Sequence, residues 1–138
     1  AYICKVFRND VIEVVLDMKI ERWDAHTAVR DNIDKVAVSR GPIVYCMEGV
    51  DNGENLHLLW IAKDAEFAYQ FREDLLGGVG VINVKGCARI AMSLNNSNLY
   101  QKHKELIETR EKELMLIPYF AWANRGENEM QVWIRQER

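Results

Sequence analysis

The chain has 138 residues, enough for one domain whose core needs neither a metal ion nor a disulfide to hold it together. It carries 18 Lys and Arg residues against 21 Asp and Glu, and the net charge of −3 gives no electrostatic reason to expect nucleic acid or an anionic membrane as a partner. No apolar run in the sequence reaches the length of a membrane span.

The cysteines favour a domain without a metal site. Cys4, Cys46 and Cys87 are far apart and form no Cys-x-x-Cys pair, so we expect free thiols and no cofactor in this chain. Free thiols fit a reducing compartment, and the expected location is the cytoplasm. The sequence begins without Met, inside a strand-like run over residues 2–7, which predicts a piece of a longer polypeptide.

The first predicted elements are strands. Residues 2–7 and 11–18 are apolar runs on either side of Asn9 and Asp10, which accept left-handed turn geometry, so the two runs predict a hairpin. Residues 20–25 alternate apolar and charged side chains, the pattern of a strand with one solvated face.

A second pair of strands flanks a glycine and a proline. Residues 36–38 and 43–46 are rich in side chains that suit a pleated, half-buried surface. Gly41 tolerates backbone angles that other residues avoid, and Pro42 cannot donate to a sheet ladder. The pattern predicts a strand, a kink or bulge and a second strand, followed by a polar turn over residues 48–54.

Further strands are predicted in the middle of the chain. Residues 56–61 form an apolar run, and residues 67–73 alternate aromatic and polar side chains. Residues 79–84 and 87–94 predict another hairpin, with Gly86 in its turn.

The C-terminal third contains the least strand-like segment. Residues 100–112 are mostly charged, and two interpretations stay open: one short amphipathic helix, or a solvated segment, which we favour because Leu106 and Ile107 are its only strongly apolar residues. Strands are predicted over residues 113–122 and 130–134. Short strands separated by Gly, Asn and Asp predict one all-β unit over the whole chain, an antiparallel β-sandwich of the jelly-roll type.

No residues in the sequence form a catalytic constellation. His26, His57 and His103 lie apart from one another and from the cysteines, and a lone His is more often a surface or core residue than a catalytic base.

Three carboxylates share the polar turn after the second strand pair. Glu48, Asp51 and Glu54 could bind calcium through their oxygen atoms, but their spacing does not match a calcium loop. We therefore favour a solvated acidic turn and regard Glu48 and Asp51 as structural residues.

Four residues near the C-terminus are the candidates for contact with carbohydrate. Tyr119 and Trp122 could stack on the apolar faces of sugars while Asn124 and Arg125 hold hydroxyl groups. Packing in the core is the favoured alternative, because aromatic residues on strands usually fill the interior of a sandwich.

Two arginines stand beside glycines in apolar surroundings and are interpreted as structural residues. A partly buried Arg needs a carboxylate or carbonyl partner to offset its desolvation. For Arg40 and Arg125 the expected partners are Glu48, Asp51 and Glu73.

Three blocks carry a resemblance to a known family. They are, in order, VAVSRGPIVYCMEGVDN at residues 36–52, REDLLGGV at 72–79 and IPYFAWANRGENEMQVWI at 117–134. With these blocks the chain resembles the C-terminal part of glycoside hydrolase family 127, bacterial enzymes of the β-L-arabinofuranosidase type formerly grouped as the domain of unknown function DUF1680. The resemblance covers nearly the whole chain and is weakest over residues 94–112.

The resemblance implies a parent enzyme with an N-terminal (α/α) barrel followed by β-sandwich domains. In the family the barrel holds the Cys nucleophile and a zinc ion bound by cysteines and a Glu. This chain matches the sandwich portion and has no Glu-x-Cys, so neither role passes to Cys46, and zinc is expected only in the barrel. Arg40, Gly41 and Pro42 belong to a block of the part that supports the barrel.

Two functions of different classes follow. In the first, the chain is the non-catalytic sandwich of a glycosidase that hydrolyses arabinofuranosides. Its partner is the barrel of the same polypeptide, a homodimer contact stays open, and removal of the barrel predicts a large apolar patch. In the second, the chain is a free-standing carbohydrate-binding module with exposed, coplanar aromatic rings, led by Trp122 or Trp133. An enzyme in its own right is the least favoured alternative.

Overall fold

The computed structural model describes residues 11, 13–90, 100 and 108–137, and it confirms the all-β class. The strands are β1 Ile20–Asp24, β2 Lys35–Arg40, β3 Ile43–Glu48, β4 Leu59–Ile61, β5 Phe67–Arg72, β6 Val79–Arg89, β7 Thr109–Pro118, β8 Met130–Gln131 and β9 Ile134–Gln136. One short α-helix, α1, spans Gly49–Asn52, and 3-10 turns lie at Arg30–Asn32, Leu56–Leu58 and Tyr119–Ala121. Within the described residues, no helix has the length and apolar character needed to cross a bilayer.

Six of the strands close into a ring. β2 pairs with β9, β9 with β4, β4 with β6, β6 with β7 and β7 with β3, and β3 pairs back with β2. The pairings in this ring are antiparallel except that of β4 with β9, which is parallel. β1, β5 and β8 are attached to β2, β6 and β3 respectively. Closure satisfies the edges that an open sheet would leave exposed.

The inner core fills this ring, and each of the six strands contributes to it. Its buried members are Val36, Val38, Tyr45, Met47, Leu56, Leu59, Ile61, Ile82, Val84, Ala88, Leu114, Leu116 and Ile134. Along β3, β6 and β7 these residues alternate with others that point outward, as the two-residue period of a strand requires.

A smaller cluster lies on the outer side of the ring. Its buried members are Cys46, Val79, Val81, Ile117 and Ala121. Partly buried side chains pack over it, among them Met130 of β8 and, from connections between strands, Leu75, Leu76 and Val132. We call this set the outer cluster.

The predicted kink between residues 38 and 43 is a tight hairpin turn. Arg40 is paired with Ile43, so Gly41 and Pro42 form the whole connection between β2 and β3. Gly41 has a φ of 56°, in the left-handed region that favours glycine.

Gly86 lies inside a strand, so the hairpin predicted over residues 79–84 and 87–94 is wrong. β6 runs uninterrupted and pairs with β7 from Ile82 to Arg89, while residues 91–94 lie outside the described residues. A Cβ at position 86 would lie 2.5 Å from the Leu114 side chain and 2.6 Å from the carbonyl oxygen of Trp60. The glycine therefore permits the close approach of neighbouring strands and does not make a turn.

The predicted strand over residues 11–18 is also wrong for the part that the structure describes. Residues 13–18 form no strand, and the other half of the predicted hairpin, residues 2–7, lies outside the described residues. Val14 and Val15 are largely exposed. Their β-branched side chains suit a strand only when a neighbour covers them, so the local pattern was misleading.

Two predictions near the C-terminus need correction. Residues 109–112, placed in a helix or solvated segment, belong to β7, because β6 offers their backbone a pairing partner; residues 101–107 lie outside the described residues. Residues 130–134 were predicted as one strand, but they are divided between β8 and β9, which pair with different strands.

Replacing Gly86 with Ala is expected to lower the free energy of unfolding by about 1–3 kcal/mol, because the new methyl group overpacks the contact with Leu114 and Trp60. Urea denaturation of the chain measures the change. Lys85→Ala, at the exposed neighbouring position of β6, is the control and should change the value by about 0.5 kcal/mol or less. A Gly86→Ala variant as stable as the wild type would contradict the close approach.

Candidate functional site

The sequence-predicted contact residues lie on one loop, which joins β7 to β8 and spans residues 119–129. The loop opens with the 3-10 turn Tyr119–Ala121, which we call the aromatic turn, and Ala121 is buried in the outer cluster. Ala123 follows with a φ of 64°, an uncommon conformation for a residue that carries a Cβ. Such a conformation persists only where the surroundings hold it.

Glu48 holds Ala123 in this backbone conformation. It ends β3, and its side chain is fully buried. Its Oε1 atom accepts a hydrogen bond from the backbone amide of Ala123 at 2.8 Å, and its Oε2 atom accepts one from Nη2 of Arg125 at 2.5 Å. One carboxylate therefore fixes both the strained backbone of the loop and the guanidinium two residues later.

Asp51 binds the same guanidinium from the short helix α1. Nη1 of Arg125 donates to Oδ1 of Asp51 at 2.6 Å, and Nη2 donates to Oδ2. The geometry is bidentate, the arrangement in which Arg and carboxylate groups bind most strongly. The hydrogen bonds that Arg125 donates to Asp51, and then the one that it donates to Glu48, raise the pKa of Arg125, although burial acts against the charged form.

The pKa of Glu48 is lowered in this setting. Burial by itself would raise it, but the Ala123 amide, the Arg125 guanidinium and a hydrogen bond from Asn128 together stabilise the charged form more than burial disfavours it. Glu48 is therefore an ionised, neutralised structural carboxylate and not a proton donor.

Further contacts tie α1 to the strands around it. Asn52 is almost completely buried, and its side-chain amide donates to the carbonyl oxygens of Glu48 at 3.0 Å and Met115 at 2.8 Å. Its Oδ1 atom accepts from the Met115 amide at 2.9 Å. Sequence reasoning missed Asn52, because its partner lies 63 residues away and no local signal indicates the contact.

The expectation of a solvated acidic turn is wrong. Glu48 and Asp51 are buried, and only Glu54 of the three carboxylates is exposed. The expectation failed because Arg125, which neutralises the two buried carboxylates, comes from a loop more than 70 residues later. Its guanidinium occupies the oxygen atoms that a calcium ion would need.

The structure separates the four candidates for carbohydrate contact into two pairs. Arg125 is engaged by carboxylates, and Nδ2 of Asn124 donates to the carbonyl oxygens of Ala121 and Trp122 in its own loop. Tyr119 and Trp122 are exposed by 44% and 39%, so the favoured interpretation that they fill the core is wrong. Their ring centroids are 6.3 Å apart with a 33° angle between the planes. A role in carbohydrate contact stays a prediction.

Arg40 has a different partner from the carboxylate that was expected. Its guanidinium carbon lies 3.8 Å from the ring centroid of Tyr69 in β5, a cation–π contact. No carboxylate of the described segments is within ion-pair distance of it. Gly41 follows Arg40 at the hairpin turn, and a Cβ there would lie 2.7 Å from Sδ of Met18.

Comparisons with known proteins agree on one kind of protein. Residues 20–135 match the glycoside hydrolase family 127 C-terminal domain. The non-reducing end β-L-arabinofuranosidase of Bifidobacterium longum subsp. longum is 36% identical in an alignment of 133 residues that covers 93% of this chain and 20% of that protein.

Solved structures give the same result. A family 127 β-L-arabinofuranosidase from Geobacillus stearothermophilus T6 superposes with a TM-score of 0.78 at 45% identity, covering 87% of this chain and 18% of its own. A second β-arabinofuranosidase of family 127 superposes with a TM-score of 0.73 at 34% identity, covering 88% of this chain and 18% of its own.

The fold and these matches define a β-domain of glycoside hydrolases. The chain belongs to the family 127 C-terminal domains, and it spans about one fifth of the length of the relatives it matches.

Replacing Arg125 with Met is expected to lower the free energy of unfolding at pH 7 by about 3 kcal/mol, because it leaves the buried Glu48 and Asp51 carboxylates without a counter-charge. Arg72→Met is the matched control: Arg72 also binds one carboxylate through two nitrogens, that of Asp74, but in solvent, so its loss should change stability little.

The same variant should change the response to pH. In the wild type, ionised Glu48 contributes stability above its ordinary pKa of 4.5, and this is lost as the pH falls through the lowered pKa of the folded state. Without Arg125, burial favours the neutral form, so acid relieves the variant's defect. The stability difference between wild type and Arg125→Met should therefore shrink between pH 7 and pH 4. A constant difference in urea denaturation at both values would show that Glu48 does not carry the effect.

Proposed function

We propose that this chain is the non-catalytic C-terminal domain of a longer glycoside hydrolase that removes terminal arabinofuranose units, and that it supports the catalytic barrel of the same polypeptide. The observation that carries the proposal is the match of residues 20–135 to the C-terminal domain alone, over about one fifth of enzymes named as arabinofuranosidases. The reaction then belongs to the remaining part of the polypeptide.

The environment of Cys46 supports this division. Its thiol lies in the outer cluster with no exposed surface. Burial, followed by the nearby negative charge of Glu48, raises its pKa to about 12. The thiolate is the nucleophilic form of cysteine, so a thiol held neutral at physiological pH is unsuited to attack a sugar.

The described residues do not fit the zinc ion of the family either. Among residues 13–90 and 108–137, no three His, Cys, Asp or Glu side chains converge in a way that could hold a metal ion. We place any zinc of the parent enzyme in the barrel. We also propose a cytoplasmic location, which the free thiols of Cys46 and Cys87 support.

A free-standing carbohydrate-binding module is the second candidate. The exposure of Tyr119 and Trp122 favours it. The 33° angle between their rings argues against a flat stacking platform, and Trp133 is partly buried. The accessory-domain proposal therefore has the stronger support.

An assay of the chain with 4-nitrophenyl β-L-arabinofuranoside tests the proposal. No turnover is expected, whereas the complete polypeptide encoded by the same reading frame should hydrolyse this compound. Turnover by the 138-residue chain that disappears in Cys46→Ser would overturn the assignment. Calorimetric titration with arabino-oligosaccharides should give no heat; binding that is lost in Trp122→Ala would favour the carbohydrate-binding module instead.

A further inference from the structure

We propose that one side of the domain, formed by Trp23, Val44, Tyr119, Phe120 and Trp122, is the surface on which the remainder of the same polypeptide docks. This inference rests on the proposed function and adds to it the residues that make the contact. We call these five side chains the outer apolar face.

The strand register brings these side chains together. Trp23 in β1 is opposite Ala37 in β2, and its indole Nε1 donates to Oγ of Ser39 at 2.8 Å. Ser39 is in turn opposite Val44 in β3. The next position across the pairing of β3 with β7, one step beyond Pro118, is Tyr119. β1 contacts β2, β2 contacts β3 and β3 contacts the aromatic turn, so the elements that carry these side chains are neighbours.

All of these residues lie outside the ring. Val44 and Cys46 point to the same side of β3, since strand side chains alternate, and the inner core takes Tyr45 and Met47. Ala121, the last residue of the aromatic turn, is buried in the outer cluster, so this turn lies on the outer side as well. The chain's own connections cover Cys46 completely but leave Val44 exposed.

The uncovered half of this side carries large apolar side chains in water. Phe120 is exposed by 72% and Trp23 by 54%. Soluble proteins rarely expose contiguous apolar surface of this kind unless it contacts a partner, and Trp and Tyr are enriched among the residues that dominate such contacts.

The aromatic turn is also fixed before any partner binds. The amide of Ala123 is held by buried Glu48, and Asn124 donates to the carbonyl oxygens of Ala121 and Trp122. A surface that is already ordered loses little conformational entropy on binding. The buried Glu48 carboxylate and the Asn124 amide therefore hold the backbone that carries Phe120 and Trp122 in a fixed position.

The length of the relatives indicates the occupant. In the arabinofuranosidase relatives about four fifths of the chain lies outside the matched region, and a C-terminal domain is joined to that remainder on its N-terminal side, where β1, the first strand among the described residues, carries Trp23. A partner on the same polypeptide has a high effective concentration, which reduces the contact area that is needed to hold it.

The test uses the complete polypeptide that contains this chain. Phe120→Ser is the first variant and Val44→Lys the second, and limited proteolysis of the segment before β1 reports how often the two parts separate. We expect cleavage to become about 30-fold faster in Phe120→Ser, the effect of losing one dominant aromatic contact. Phe71→Ser is the matched control, because Phe71 is also an exposed phenylalanine, at 57%, but lies on the opposite side of the β5–β6 pair.

The outcomes separate this inference from the proposed function. In the 138-residue chain, Phe120→Ser should leave the urea midpoint unchanged, which shows that the domain itself is intact. Faster cleavage in Phe120→Ser and Val44→Lys but not in Phe71→Ser supports docking, even if the complete polypeptide proves inactive on arabinofuranosides.

Unchanged cleavage in an active polypeptide overturns docking and leaves the proposed function standing. A shift from dimer to monomer in light scattering, with unchanged cleavage, assigns the outer apolar face to a second copy and overturns docking as well. Binding of arabino-oligosaccharide by the 138-residue chain, lost in Phe120→Ser with cleavage unchanged, assigns it to sugar with the same consequence.

Discussion

The ion pair between Glu48 and Arg125 is the contact on which the outer side of the domain depends. It joins the end of β3 to a loop 77 residues later, and the same carboxylate holds the Ala123 amide. Ala121 of the same loop is a buried member of the outer cluster, so the loop packs against that cluster. Two buried carboxylates bind one guanidinium, so loss of Arg125 leaves their negative charge without compensation. The conformation of the loop and its packing over the outer cluster therefore depend on the same ion pairs.

This arrangement gives the ionisable groups that are concentrated beneath the loop a structural explanation. Glu48 is kept ionised and neutralised, Arg125 is held by two carboxylates, and Cys46 is kept neutral beneath the loop. Each group is shifted away from the state in which it could transfer a proton or attack a substrate. The ion pairs of Glu48 and Asp51 with Arg125 instead fix the position of the loop. As a result, one half of the outer side of the ring is covered and the other half exposes apolar side chains.

The parts of this fold that could be predicted from sequence are those with local causes. The β2–β3 hairpin follows from Gly41, whose left-handed backbone is required at a two-residue turn. The need of Arg125 for a carboxylate follows from its apolar surroundings, and two of the three partners considered from the sequence, Glu48 and Asp51, bind it. Gly86 was wrongly placed in a turn and Asn52 was missed, because the residues that constrain them belong to strands distant in sequence.

The ring is completed by the strand that comes last in the chain, which is no longer than β4, the other three-residue strand. β9 has three residues, and it bridges β2, near the start of the described chain, to β4. During synthesis the domain must therefore wait on the ribosome with unpaired edges until residues 134–136 have emerged, a state that invites chaperones and misassociation. A premature stop codon just before Ile134 would accordingly leave an open, adhesive sheet and not merely a shorter domain.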